Sequence, residues 1–328
     1  MPRSRLFAAL ALLLVIGGAS WIFFGRHTGQ AQTRPLIAVA TLMTHPALTE
    51  LERGLRDELA AQGFVPGRNI DIIDRNANGQ IQLTATIANE LAGKNPAVTV
   101  PITTPMAQAV LKAVRGKIVF ASVTDPLGAG VVRTLAGEPR ITGASDAWPY
   151  EPQMRLIREI TPEAKRIGVF YNPGEAASQT GIREIRRVAA KLGFALVEQP
   201  VNSTGEMSVA ARSIADRVDA FFLSSDNTVI SGMAGALRVA IERKIPFYVG
   251  DSGTVEKGGL AAVSVGYYEH GRHTGQLIAR VLRGEDRLPV IVEKGEEVSV
   301  NLEAARQMGV TIPKPVLDRA AHVYTSIK

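Results

Sequence analysis

The chain contains no cysteine. Disulfide frameworks, cysteine-ligated zinc or iron–sulfur sites, thiol catalysis and a lipid-modified cysteine at the mature start are thereby excluded. Glycine (31) and proline (18) are near ordinary usage for 328 residues, which excludes collagen-like and low-complexity chains. There is no G-x-x-x-x-G-K-[ST] loop, and no G-x-G-x-x-G follows the first apolar run, so nucleotide binding has no motif behind it. A basic stripe is also missing. Lys and Arg number 37 against 31 Asp and Glu, but Arg3, Arg5 and Arg26 lie in the first 31 positions, which hold no acid. The remainder carries 34 bases against 31 acids, and its densest run, Arg183 with Arg186 and Arg187, is interrupted by Glu184. No nucleic-acid partner is expected from that distribution.

What is present is a core-forming composition, 46% hydrophobic and 21% charged, long enough for two domains or one large one. At the start, Arg3 and Arg5 precede an uncharged apolar run over residues 6–24. A basic segment followed by an apolar one is an export signal. Its 19 residues are long for a signal core and near the ~20 that span a bilayer. Residues 1–31 therefore read either as a signal peptide, cut after Ala19 or Ala31, or as an N-terminal anchor with Arg3 and Arg5 inside. Either way the rest is placed outside the cytoplasmic membrane, in the periplasm, released or tethered by residues 6–24.

From Leu36 onward short apolar runs alternate with amphipathic stretches. Strands are expected at 36–40, 70–73, 97–102, 118–123 and 141–144. Helices are expected at 47–62, 83–92 and 106–114; Leu48, Leu51, Leu55 and Leu59 of the first share one stripe. A second series has strands at 167–171, 196–197, 220–223, 247–249 and 260–265, with helices at 153–160, 182–192, 207–215 and 229–243. A long helix over 268–282, a strand over 297–302 and a short helix over 303–308 close the pattern. This is an α/β chain with two sets of βα units and parallel sheets.

In such sheets ligands bind beyond the carboxyl ends of the strands. The segments there carry Thr44 and His45; Thr103 and Thr104; Thr124 and Asp125; Ser145 and Asp146; Tyr171, Asn172, Glu175 and Ser178; Asp226 and Asn227; Asp251 and Ser252; and Tyr267. Taken singly, each Ser, Thr, Asp or Asn is an ordinary helix cap. Taken together they converge on one edge of two similar halves. Hydroxyls and helix-start amides suit a carboxylate and the aspartates an ammonium, a combination that fits an amino acid. Trp148, Tyr171 and Tyr267 are candidates to pack on an apolar part of the ligand.

Several segments carry a family resemblance. They are His45-Pro46-Ala47-Leu48, Thr104-Pro105-Met106-Ala107-Gln108-Ala109, Thr124-Asp125-Pro126-Leu127-Gly128-Ala129-Gly130, the run from Arg166 to Glu175, Asp226-Asn227-Thr228-Val229 and Asn301-Leu302. Over about residues 35–312 the chain resembles the substrate-binding proteins of ABC transporters that include tryptophan- and tyrosine-type binders. Ser224-Ser225 and Gly266 depart from that pattern, where the family often has Pro-Thr and Asp. The resemblance implies the type I periplasmic binding protein fold: two Rossmann-like lobes joined by a three-strand hinge near 144–149, 266–267 and 294–298. Lobe one would comprise 35–145 with 267–293, and lobe two 146–266 with 294–328. It further implies a monomer without cofactor that captures a small ligand between the lobes and delivers it to an ABC permease. An alternative on the same fold is an extracytoplasmic sensor signalling to a membrane receptor or kinase.

The ligand-binding set expected on this basis is Thr44, His45, Thr103, Thr104, Thr124, Asp125, Tyr171, Asn172, Glu175, Ser178, Asp226, Asn227, Asp251, Ser252 and Tyr267. No catalytic or metal residue is assigned. Gly250-Asp251-Ser252-Gly253 mimics a serine-protease segment but lacks the partners. His270 and His273 are read as an exposed helix face beside Arg272. Removing Asp226 is expected to abolish ligand-induced stabilisation and to leave the ligand-free midpoint nearly unchanged.

Overall fold

The computed structural model describes residues 34–328, so the leader and tether readings of residues 1–31 and 6–24 lie outside the described residues. No helix among the described residues is long and apolar enough to cross a membrane.

The first sheet has the order β11-β5-β4-β3-β1-β2, every pair parallel. It is built from β1 (Leu36–Thr41), β2 (Asp71–Asn76), β3 (Val98–Ile102), β4 (Lys117–Ala121), β5 (Ile141–Ser145) and the late β11 (Ile291–Val292). Helix α1 (Pro46–Ala61) follows β1. Its leucine stripe, Leu48, Leu51, Leu55 and Leu59, is buried as its spacing predicts, and Gly63 turns the chain at φ 87°. Full burial of such a side chain contributes about 1.5–3 kcal/mol. Helices α2 (Leu83–Gly93) and α3 (Thr104–Ala113) make the next crossovers.

The second sheet begins as the parallel order β7-β6-β8-β9, from β6 (Arg166–Tyr171), β7 (Ala195–Pro200), β8 (Ala220–Leu223) and β9 (Phe247–Tyr248). Two backbone bonds, Leu260 N–H to Phe247 O (2.7 Å) and Val249 N–H to Ala261 O (3.1 Å), lead from β9 to β10 (Ala261–Ser264). There β10 pairs antiparallel with β12 (Glu297–Asn301), which runs parallel to β13 (Ala320–Tyr324). The helices of this half are α4 (Tyr150–Ile160), α5 (Ala176–Leu192), α6 (Met207–Ile214), α7 (Asn227–Arg243), the short α8 (Ser252–Glu256), α10 (Leu302–Met308) and α11 (Lys314–Asp318).

Each sheet has its own core. One gathers Ile37, Val39, Leu51, Val100 and Phe120; the other gathers Met154, Phe170, Phe221, Phe222, Phe247 and Val300. Phe170, Phe221 and Phe247 meet edge to face, with centroids 5.2–6.5 Å apart. The chain passes between the cores three times: from β5 into α4, from β10 into α9 (Tyr267–Leu282), and from β11 into β12.

Helix α9 returns to the first core and packs on α1 at backbone distance. A Cβ on Gly54 would overlap the Tyr268 carbonyl oxygen, and one on Gly271 would overlap that of Leu51. Beside this seam the buried Glu58 accepts from Arg272 at 3.0 and 3.1 Å and from Gln62 at 2.9 Å.

Candidate functional site

The strand ends of both halves enclose a cavity of about 460 Å³, part of it open to solvent. From the first half come Met43, His45, Ala47 and Leu48 after β1, Thr103 and Thr104 after β3, Ser122 and Thr124 after β4, and Asp146 and Trp148 after β5. From the second come Ala177, Ser225, Asp226, Asn227, Ile230 and Asp251, and Tyr267 opens α9.

Of the expected ligand set, the structure gathers His45, Thr103, Thr104, Thr124, Asp226, Asn227, Asp251 and Tyr267 on the cavity wall. The others stand elsewhere. Thr44 is exposed and accepts from Asn76 Nδ2 at 3.0 Å. The Asp125 carboxylate takes the Gly128 N–H (2.8 Å) and the Thr180 hydroxyl (2.9 Å). Tyr171 packs on the second core. Asn172 donates its backbone N–H to Asp226 and its amide to Thr228 Oγ1 (2.9 Å). Glu175 closes the start of α7, taking the N–H groups of Asn227 (3.1 Å) and Thr228 (2.9 Å) and the Thr228 hydroxyl (2.6 Å). Ser178 is fully buried in α5, and Ser252 faces a separate groove. The expected ligand set leaves out Ser122, Asp146 and Ser225, although Asp146 stands among the polar residues found at the strand ends. Asp146 directly follows β5, the same signal that found Asp226 after β8.

The local backbone shows why these positions are unusual. Thr103 sits at φ 85° and Ser122 at φ 53°, both left-handed and costly for residues with a Cβ. They end neighbouring strands, and the strain falls where the backbone turns into the cavity. The Thr103 hydroxyl is buried without a hydrogen-bond partner among the described residues.

Asp226 caps α7, its carboxylate accepting from Val229 N–H at 3.0 Å and from the Asn172 N–H. Burial, and then the neighbouring Glu175, push its pKa up to about 7. The expectation of an unchanged ligand-free midpoint is therefore corrected: a buried cap is structural, and loss of such a cap costs about 1 kcal/mol. The sign of its pH effect follows from the raised value. The folded state holds the proton more tightly than the unfolded chain, so this contribution is complete below about pH 4 and is lost as pH rises through 7. Ligand-free melting of the wild type against Asp226→Asn between pH 5 and 8 should show a wild-type decline that the variant lacks. Parallel curves would remove Asp226 as its source.

His45 caps α1, its Nδ1 accepting from Ala47 N–H at 3.3 Å. The Thr254 hydroxyl donates to Asp251 at 2.5 Å, so His45 Nε2 carries a proton and donates to Thr254 Oγ1 at 3.2 Å. Burial, assisted by Lys257, lowers the His45 pKa against the pull of Asp251. A neutral imidazole thus links α1 of one half to α8 of the other. Asp251 is itself the α8 cap, accepting from Thr254 N–H at 2.8 Å, which gives the protease-like tetrad a structural role.

Asp146 is buried at the first crossing. Its Oδ2 accepts the hydroxyls of Ser122 (2.5 Å) and Tyr267 (3.0 Å). Burial raises its pKa, against the pull of those two hydroxyl bonds. Burial and the Asp146 charge raise the Tyr267 pKa well above its usual 10. Behind this pair stands His270, which is 0% exposed, so its reading as part of an exposed face is overturned. Helix α9 turns that face onto the first sheet; only His273 keeps substantial exposure. His270 Nε2 accepts from Ser122 N–H (3.0 Å), and its Nδ1 therefore donates to Glu293 (2.8 Å).

Across the gap, the Thr124 and Ser225 hydroxyls meet at 2.8 Å, and Ser231 donates to the Met43 sulfur at 3.2 Å. With the Asp125–Thr180 bond, these contacts draw the halves together around the cavity.

The fold, the paired halves and this cavity agree with a family match: residues 36–324 fit the model of ABC transporter substrate binding proteins. The chain belongs to that family. It has the type I periplasmic binding protein fold and is a binding protein rather than an enzyme. A tyrosine-binding protein of Clostridioides difficile (strain R20291) is 30% identical over 276 residues, 83% of this chain and 80% of the relative. The structure of an ABC domain in complex with L-Trp from Streptococcus pneumonia is 32% identical, covers 88% of this chain and 99% of its own, and superposes with a TM-score of 0.84. A ligand-free, open substrate binding protein with adhesive properties from Clostridium difficile is 31% identical and covers 89% and 100%, with a TM-score of 0.68. At nearly equal identity, this substrate-binding protein matches the ligand-bound structure better than the open one.

Proposed function

We propose that the protein captures an amino acid with an aromatic side chain between its two halves, outside the cytoplasm, and delivers it as a monomer to an ABC permease. The two cores act as lobes, 35–145 with 267–293 and 146–266 with 294–328, closing about the three crossings. The observation that carries this reading is the chemistry of the cavity wall. Asp146, Asp226 and Asp251 line it, and no Lys or Arg does among the described residues. A cationic group is favoured there. The starts of α3 and α9 provide N–H donors for a carboxylate. Met43, Leu48, Trp148, Ile230 and Tyr267 supply the apolar and aromatic surface. The tyrosine- and L-Trp-binding relatives support the class. A ligand touching both lobes shifts the balance toward the closed arrangement, and the better fit to the L-Trp complex supports that sense of motion.

The test is a melting screen of the purified protein. L-Tryptophan or L-tyrosine at a hundredfold excess over its dissociation constant should stabilise the fold by about 2.7 kcal/mol. Tryptamine, which lacks the carboxylate, and indole-3-propionate, which lacks the ammonium, should shift the midpoint far less. A shift by sugars or polyols and none by amino acids would refute the reading.

A further inference from the structure

Three carboxylates border the cavity, and their existing partners distinguish them. Asp226 gives its two oxygens to the Val229 and Asn172 N–H groups. Asp251 gives its two to the N–H and hydroxyl of Thr254. Asp146 concentrates its side-chain partners on Oδ2, which takes Ser122 and Tyr267. Among side-chain partners its Oδ1 meets only the Thr124 hydroxyl, at 3.5 Å, and that hydroxyl has a better partner in Ser225 at 2.8 Å. A carboxylate oxygen keeps its full acceptor strength only while its lone pairs are uncommitted. Asp146 Oδ1 is the oxygen that meets this condition on the cavity wall.

We propose that Asp146 receives the ligand's ammonium group and that Tyr267 and the Ser122–His270–Glu293 chain position its carboxylate for that contact. The proposal rests on the amino-acid reading above and names the residue responsible for it. Positioning comes from all three crossings. Asp146 lies on the first. Tyr267 opens α9 on the second. Glu293 lies on the third, holding His270, which fixes the Ser122 backbone. The hydroxyls of Ser122 and Tyr267 occupy one oxygen and aim the other. An ammonium arriving at Oδ1 therefore engages the segments about which the halves close.

The experiment compares L-tryptophan with indole-3-propionate by calorimetry on the full-length protein, its Asp146→Asn variant and, as a surface control, Asp216→Asn. Asn keeps the shape of Asp, and hydroxyl partners can reverse their donor direction, so Asp146→Asn preserves the local hydrogen bonds. The wild type should prefer L-tryptophan by at least about tenfold, as expected for a buried charged hydrogen bond. Asp146→Asn should bring the two ligands within about threefold of one another, while the surface variant Asp216→Asn keeps the preference. Tyr267→Phe gives a second reading that leaves the carboxylate in place: it should reduce the preference for the ammonium-bearing ligand. Equal losses for both ligands in that variant, or an undiminished preference in Asp146→Asn, would overturn the assignment. A wild type that binds L-tryptophan with no preference over its deaminated analogue would overturn it too. A wild type that binds no amino acid at all fails the functional reading first and is recognised as such before any variant is made.

Discussion

Gly271→Ala should lower the stability of the protein by about 2–3 kcal/mol, the range for forcing a methyl into a packed seam. A Cβ there would overlap the Leu51 carbonyl oxygen and lie 2.8 Å from its carbon and 2.9 Å from the Leu55 nitrogen. These are backbone atoms of a facing helix and cannot swing aside; α1 and α9 must separate. Gly93→Ala is the matched control. Gly93 ends α2 with nothing within 4 Å of the added carbon. That change should be neutral or stabilising by up to about 1 kcal/mol, because alanine favours helix. Urea unfolding of both variants checks the pair, and a Gly271→Ala midpoint equal to that of Gly93→Ala would show that the helices do not touch as described.

The second large effect belongs to the cavity wall. A Cβ on Gly250 would fall within the Trp148 ring, overlapping Cζ3, Cη2 and Cε3. Gly250→Ala should therefore displace the indole and weaken aromatic amino-acid binding by at least about tenfold, the cost of losing ring packing and burial. Trp148→Ala should weaken binding similarly. If the two act through the same contact, the double variant should bind no worse than Trp148→Ala alone and melt higher than Gly250→Ala. Additive losses would mean that Gly250 is required for some other reason.

Much of the fold was legible because the strands of both halves are buried and apolar while their helices carry clean stripes. The 220–223 strand and the leucine face of α1 are direct examples. Helix α5 was read as starting at 182, yet it begins at Ala176. Its first residues are small or polar, and Gly181 looks like a breaker. There the helix needs glycine because the Tyr150 hydroxyl occupies the place of a Cβ. Strand β11 has two residues and β13 an exposed, irregular pattern, so neither leaves a period to read. The site was half legible for a physical reason. Polar residues after strands are easily found, but a cap that serves its own helix and one that faces the cavity carry the same side chain. Glu175 and Asn172 spend their groups on α7, whereas Asp146 points one oxygen elsewhere, and only the hydrogen-bond directions separate the cases.

The placement of Trp148 has a practical outcome. The sequence holds two tryptophans, and the other, Trp21, lies outside the described residues. In protein prepared from residue 34 onward, all indole emission comes from a single ring, Trp148, on the cavity wall. Titration with tyrosine, excited where indole alone absorbs, then reads occupancy optically without a dye or an engineered label.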